Sequence, residues 1–139
     1  MDLLEKVAQF LKPEIKKTSI EFQYSCDSEY LTLQADEEMI EQVLINLVKN
    51  AMEALEHTAQ PRIELKGSYD NHAVIIQISD NGPGIIPEAI ERIFVPFFTT
   101  KKTGSGIGLA LSRQIMQMHN GTLTVESKPE VKTTFTLRF

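Results

Sequence analysis

The sequence predicts an α+β fold: a two-layer sandwich in which a mixed, mostly antiparallel sheet carries about three helices on one face. Three observations lead there. Helical and strand-like patterns alternate along the chain as helix, strands, helix, strands, helix, strands. The longest helical segment is apolar around most of its circumference, so other elements must cover it. No linker-like stretch or internal repeat divides the 139 residues, a length that suits one domain with its own core.

Each element has a local reason. Asp2 to about Lys17 sets Leu3, Leu4, Val7, Phe10 and Leu11 at helical spacing, with Pro13 disturbing the far end. Two strand-like runs, Ser19–Ser25 and Glu29–Ala35, flank the polar turn Cys26-Asp27-Ser28. Asp36 reads as an N-cap, with Glu37 and Glu38 in the first turn opposite the helix dipole, and the helix runs to about His57. The strand pair Arg62–Tyr69 and Ala73–Ser79 is joined by the turn-forming Asp70-Asn71-His72. Pro87 suits the first turn of a short helix. Another helix runs from about Gly108 to His119 and is stopped by Asn120-Gly121. Strands Thr122–Ser127 and Thr133–Phe139 close the chain.

Composition narrows the class. The chain is 42% apolar and 24% charged, as in a soluble globular protein. A net charge of -5 argues against a broad nucleic-acid footprint. No apolar run approaches the roughly 20 residues of a membrane span. The first residues lack a basic-then-apolar leader pattern. Cys26 is the single cysteine, which excludes an intramolecular disulfide and fits a reducing compartment. The expectation is a cytoplasmic domain, or a fragment of a longer protein.

Three constellations carry chemistry. On the helix from Glu37, a narrow stripe of Gln42, Asn46, Lys49, Asn50 and Glu53 interrupts the apolar surface. A solvated face is the ordinary explanation, but such faces are normally Lys and Glu, and asparagine is a poor helix former. Asn46 and Asn50, at i and i+4, lie roughly 40° apart on the wheel and aim two carbonyl oxygens together. That arrangement suits a hard divalent cation that keeps several waters.

Asp80-Asn81-Gly82-Pro83-Gly84 follows the apolar run Val74–Ile78. It reads as a tight turn, yet no return strand follows at once, so Asp80 ends a buried strand and needs hydrogen-bond donors. An adenine amine is one such donor, and the glycines let a flat base approach the backbone. The third constellation, Gly104-Ser105-Gly106-Ile107-Gly108-Leu109, opens a helix. Its glycine spacing fails the dinucleotide fingerprint and no Walker lysine follows; glycines at a helix N-terminus still suit phosphate. Between these two lie Phe94, Phe97 and Phe98, which read as core or lid anchors. Lys101 and Lys102 read as surface charges that could face a polyphosphate.

In this order the pieces resemble the catalytic, ATP-binding domain of bacterial sensor histidine kinases, within the GHKL superfamily and its Bergerat fold. Asn46-Leu47-Val48-Lys49-Asn50-Ala51 is similar to the N box, Asp80 to Gly84 to the G1 box, Phe94 to Phe98 to the F box, and Gly104 to Leu109 to the G2 box. The run from Pro96 to Lys101 with the glycines after it resembles the nitrogen-regulation type.

The resemblance implies ATP and Mg²⁺ as cofactors. It implies that Asn50 holds the metal, that Asn46 joins the phosphate or metal-water network, and that Asp80 binds the adenine amine with help from Thr133 through a water. Gly82, Gly84 and Ile85 line the base pocket, with Lys49 also among the nucleotide contacts. Gly104, Gly106, Gly108 and Leu109 belong to the lid and meet phosphate, and Lys101 is a lid cation. Thr99 stands where many relatives carry an arginine.

The superfamily's ATPases carry a glutamate at the position of Asn46. An amide there argues for transfer to a strong nucleophile such as imidazole and against rapid hydrolysis. None of the histidines, His57, His72 and His119, resembles a phosphoacceptor box. The implied acceptor is therefore a histidine on a separate dimerisation domain, with a response regulator further downstream, and no nucleic acid or membrane insertion. A GHKL ATPase or serine kinase, and a nucleotide sensor that transfers nothing, are the competing readings.

Overall fold

The computed structural model describes residues 2–27, 35–96 and 108–139. Its elements are α1 (Asp2–Lys16), β1 (Glu21–Cys26), α2 (Glu37–Ala54), β2 (Arg62–Asp70), β3 (Ala73–Asp80), α3 (Pro87–Ile90), α4 (Gly108–Met118), β4 (Thr122–Lys128) and β5 (Lys132–Arg138). The expected strand Glu29–Ala35 falls almost wholly outside the described residues, as do Phe97, Phe98, Thr99, Lys101, Gly104 and Gly106.

The five described strands form one sheet in the order β1-β2-β3-β5-β4. β1 pairs with β2 in parallel, and the other three pairings are antiparallel, so the sheet is mixed as expected. Strand alternation turns Ile63 and Leu65, Val74, Ile76 and Ile78, Phe135 and Leu137, and Leu123 to the helix side, where all are buried. α2 packs there through Ile40, Val43, Leu44, Leu47 and Val48, each fully buried. Burying one such side chain is worth about 1.5–3 kcal/mol, so this stripe anchors the layer.

Local chemistry sets several boundaries. Asp36 caps α2, its carboxylate accepting the Met39 N–H at 3.1 Å. α2 ends at Ala54, earlier than the expected His57. There the Glu56 N–H turns back to the Glu53 carbonyl and the Thr58 N–H to the Leu55 carbonyl, short-range bonds that tighten and end the helix. Pro13 does not stop α1, which continues to Lys16. The bond it forfeits belongs to the carbonyl of exposed Gln9, which water can satisfy, while Leu11 and Ile15 on either side stay buried. The β2–β3 hairpin turns on Asn71 and His72, with φ of 48° and 70°, the pair of positive angles a two-residue loop requires.

α4 ends on Asn120 in the left-handed region (φ 57°), and the Gly121 N–H returns to the Met116 carbonyl at 2.9 Å. Gly121 serves close packing, since a Cβ there would sit 2.5 Å from the Arg138 carbonyl oxygen. Beside it, His119 joins two helices. Its Nε2 accepts the Asp36 N–H at 3.1 Å, and its Nδ1–H donates to the Ile115 carbonyl at 2.8 Å. One neutral tautomer satisfies both bonds. The ring thus ties the end of α4 to the cap of α2, a structural task that occupies both nitrogens. His57 and His72 are exposed, the former just beyond α2 and the latter in the hairpin. His119→Ala is expected to lower stability by about 0.5–1.5 kcal/mol in urea denaturation; an unchanged midpoint would show the tie to be unimportant.

Candidate functional site

The site is assembled at one end of the sheet and along α2. Asp80, the last residue of β3, is paired in register with Ile63 of β2 and Thr133 of β5. It lies on the helix side and is 6% exposed. One carboxylate oxygen accepts the Gly82 N–H at 2.9 Å, closing a small side-chain turn that fixes its orientation. Gly82 has no room for a side chain: a Cβ would lie 2.9 Å from that oxygen and 3.3 Å from the Ala54 carbonyl oxygen. The turn is therefore pressed onto the C-terminal end of α2.

Two further ties hold the loop. Asn81 accepts the Arg62 N–H through Oδ1 at 2.7 Å and donates through Nδ2 to the Gln60 carbonyl at 2.9 Å, fastening it to the start of β2. On the other side, Gly84 adopts φ 77°, and its Cβ would meet Lys128, Pro129 and Ser127 atoms at 2.9 Å each. Only glycine fits that conformation and that approach. The Glu130 N–H donates to the Pro83 carbonyl at 2.6 Å and the Ile85 N–H to Ser127 Oγ at 2.7 Å. Ser127 Oγ also stands 3.2 Å from Thr133 Oγ1.

The other end of the site is on α2. Asn46, Asn50 and Ala54 follow one another at i+4 intervals on one face. The Asn46 Nδ2 donates to Ser112 Oγ of α4 at 3.1 Å, and Gly108 packs against the same amide, where a Cβ would lie 2.5 Å from Oδ1. The N-terminus of α4 thus stands over Asn46 while the Asp80–Gly82 turn stands over Ala54. Eight residues of helix separate the two, about 12 Å at 1.5 Å per residue, with Asn50 midway. The first N–H groups of α4 have no partners within the helix, and its dipole favours an anion there.

The structure therefore brings Asp80, Gly82, Gly84, Ile85, Thr133, Asn46, Asn50 and Gly108 to the two ends and middle of one stripe. Leu109 lies partly buried against the core beside Gly108. The Lys49 ammonium stands 3.8 Å from the Glu14 carboxylate of α1, an ion pair with the helix layer. The pair is about half exposed and contributes little to stability. Phe94 is partly buried, with the Arg113 guanidinium 4.9 Å from its ring centroid, an anchoring cation–π contact. Lys101, Gly104 and Gly106 lie outside the described residues.

Sequence reasoning missed Asn81 as a fastener, Ser112 and Ser127. Ser127 had a signal: it follows Leu123 and Val125 at period two, a hydroxyl at an inward-facing position. Ser112 had one too, four residues after Gly108 on the same helical face.

A protein-family model described as histidine kinase-, DNA gyrase B- and HSP90-like ATPase matches residues 35–139. The chain belongs to that family. Among curated relatives, it is 37% identical over 135 residues to the signal transduction histidine-protein kinase AtoS of Escherichia coli K12, covering 97% of this chain and 22% of AtoS. It is 34% identical over 145 residues to the sensory histidine kinase/phosphatase NtrB of Vibrio alginolyticus, covering 97% and 41% respectively. The chain thus spans well under half the length of these relatives. The solved catalytic domain of histidine kinase ThkA superposes with a TM-score of 0.88 at 33% identity, over 99% of this chain and 91% of that one. ThkA has also been solved in complex with the response regulator TrrA, matching at a TM-score of 0.84 over 99% of this chain and 39% of that one, at 33% identity. Full-length ShkA in complex with AMPPNP matches at 0.86 and 28% identity, over 99% and 29%. This domain is thus homologous to the ATP-binding catalytic domains of sensor histidine kinases. Among the described residues, no helix is long and apolar enough to cross a membrane.

The contact between Gly108 and Asn46 predicts a thermodynamic coupling. Gly108→Ala should destabilise the fold by about 1–3 kcal/mol, because the Asn46 amide must leave Ser112 to make room. In an Asn46→Ala background the same change should be neutral or stabilising, since alanine is the better helix former. Additive effects in urea denaturation of the four variants would show that the close approach does not exist in solution.

Proposed function

We propose that this domain binds ATP with Mg²⁺ along α2 and donates the γ-phosphoryl group to a histidine on a separate dimerisation domain. It would act as the catalytic part of a longer sensor kinase that signals through a response regulator. The arrangement of Asn46, Asn50 and Ala54 between the N-terminus of α4 and the Asp80 turn carries this reading: a base-accepting end and a phosphate-accepting end share one helical face. The location consistent with it is cytoplasmic.

Each residue has a distinct task. Asp80, buried and held by the Gly82 N–H, accepts a hydrogen bond from the adenine amine, and Thr133 beside it reaches the base through a water. Gly82, Gly84 and Ile85 leave a flat surface for the ring. Gly108 lets backbone N–H groups at the start of α4 meet phosphate, and by the resemblance Gly104 and Gly106 would add phosphate contacts and Lys101 positive charge.

Asn50 fits a magnesium ion by donor chemistry: it offers a neutral hard oxygen, and Mg²⁺ takes few protein ligands together with phosphate oxygens and water. When bound, the ion neutralises charge on the transferring phosphoryl group. Asn46 cannot abstract a proton from water. Its amide, held by Ser112, positions without acting as a base, which favours an imidazole acceptor over water.

Asp80→Asn keeps an acceptor for Gly82 and removes the charge-assisted bond to the base. It should weaken ATP binding by about 1.5–3 kcal/mol, ten- to more than a hundredfold, by calorimetry. Unchanged affinity would refute the base pocket. Asn50→Ala should abolish the magnesium dependence of ATP binding. With γ-labelled ATP and a dimerisation domain, label should reach histidine; steady ATP turnover by the isolated chain would instead point to an ATPase.

A further inference from the structure

We propose that Glu14 of α1 sets the affinity for the phosphate chain by competing with it for the Lys49 ammonium; the inference rests on the nucleotide reading above. Lys49 is the one basic residue of α2. Along the axis it stands about 4.5 Å beyond Asn46 and about 1.5 Å before Asn50, the height at which phosphate and metal meet in that reading. Around the axis it lies about 60° from Asn46 and about 100° from Asn50, on the side where α1 packs. Its ammonium is drawn toward α1, to the Glu14 carboxylate at 3.8 Å.

The pair is easily exchanged. Its side chains are 47% and 51% exposed, and 3.8 Å is longer than a hydrogen bond, so it is worth at most about 1 kcal/mol. A magnesium-bound triphosphate presents several anionic oxygens at once. A lysine suits it, as a compact charge with three donors on a flexible four-carbon stem. The other polar groups that α2 offers along this stripe are neutral amides and the Glu53 carboxylate, so Lys49 alone on that helix meets phosphate charge with opposite charge. Glu14 gives up little in return, since Lys17 follows it at the i+3 spacing that pairs unlike charges. α1 does not rest on the pair either. Leu11 and Ile15 hold it through burial, and Lys6 ties its other half to Glu37 of α2 at 2.8 Å.

Such a competition is reciprocal. Whatever Glu14 subtracts from phosphate affinity, bound phosphate subtracts from the hold of Glu14 on α2. The last turn of α1 is where that loss is felt, because Pro13 has already forfeited a helical bond there. Nucleotide occupancy is thereby passed to the surface of α1, outside the pocket. The effect is confined to the phosphates. Ala54, which the Asp80 turn covers, lies about 7.5 Å further along α2 than Lys49, so the base end does not feel the exchange.

The test measures ATP and adenosine binding to the 139-residue chain by calorimetry, with magnesium and at low salt, where exposed charges are least screened. Glu14→Gln should tighten ATP binding about two- to fivefold, the worth of one exposed ion pair, and leave adenosine binding unmoved. In a Lys49→Met background, Glu14→Gln should leave ATP affinity where it was, because the ammonium in dispute is gone. A gain of the same size in that background would mean plain repulsion between Glu14 and phosphate, and would overturn the inference. So would unchanged ATP affinity in Glu14→Gln alone, or an equal tightening of adenosine, the mark of a general rearrangement. ATP binding that depends on Asp80 but ignores Glu14 sinks this inference by itself. ATP binding indifferent to Asp80 sinks the nucleotide reading beneath it.

Discussion

The burial of α2 is the constraint on which the rest depends. Ile40, Val43, Leu44, Leu47 and Val48 are wholly removed from water between α1, α4 and the sheet. A helix clamped on so many sides has no rotational freedom, because turning it would expose apolar side chains at about 1.5–3 kcal/mol each. Asn46 and Asn50 are therefore held at fixed heights and directions by the buried apolar residues of the same helix. The two ends of the site are then built by what packs onto that one fixed face: α4 over Asn46 and the Asp80 turn over Ala54.

The two ends are held differently. At the Asp80 end, a short loop is fastened to β2 through Asn81, to β4 through Ser127 and to the β4–β5 turn through the Pro83 carbonyl, and Gly84 supplies the left-handed geometry that lets it close. Such a loop presents a rigid acceptor. At the Asn46 end, contact depends on the absence of a Cβ at Gly108 and on one amide–hydroxyl bond to Ser112. His119, at the far end of α4, adds a second fastening to α2 through the Asp36 N–H. α4 is thus tied to α2 at both of its ends by polar contacts, with Ile115 and Met116 buried between them.

Electrostatics follow the same division. The chain carries a net charge of -5, yet its α2 stripe presents amides where a solvated helix would present carboxylates. Neutral oxygens and backbone N–H groups tolerate a polyphosphate without strong repulsion, and they lower no barrier for water attack by acting as a base. In the proposed function, the asparagine at position 46 bears on both affinity and reaction class.

Elements whose cause is local were legible in the sequence. The Asp36 cap, the Asn71-His72 turn and the Asn120-Gly121 stop depend on residues within a few positions of one another, so propensity and side-chain chemistry suffice to place them. The amide stripe and the Asp80 turn were legible for the same reason, as departures from what a solvated helix or a hairpin carries. The tertiary structure alone decided which distant groups meet. Asn46 bonds Ser112 across 66 positions, and Ser127, Thr133 and Asp80 share a row because β4, β5 and β3 adopt one register. It also turned Lys49 toward Glu14, a choice between two exposed directions that helical spacing leaves open. Register and helix docking are settled by burying apolar area across the whole domain, a sum over many residues that no short segment contains.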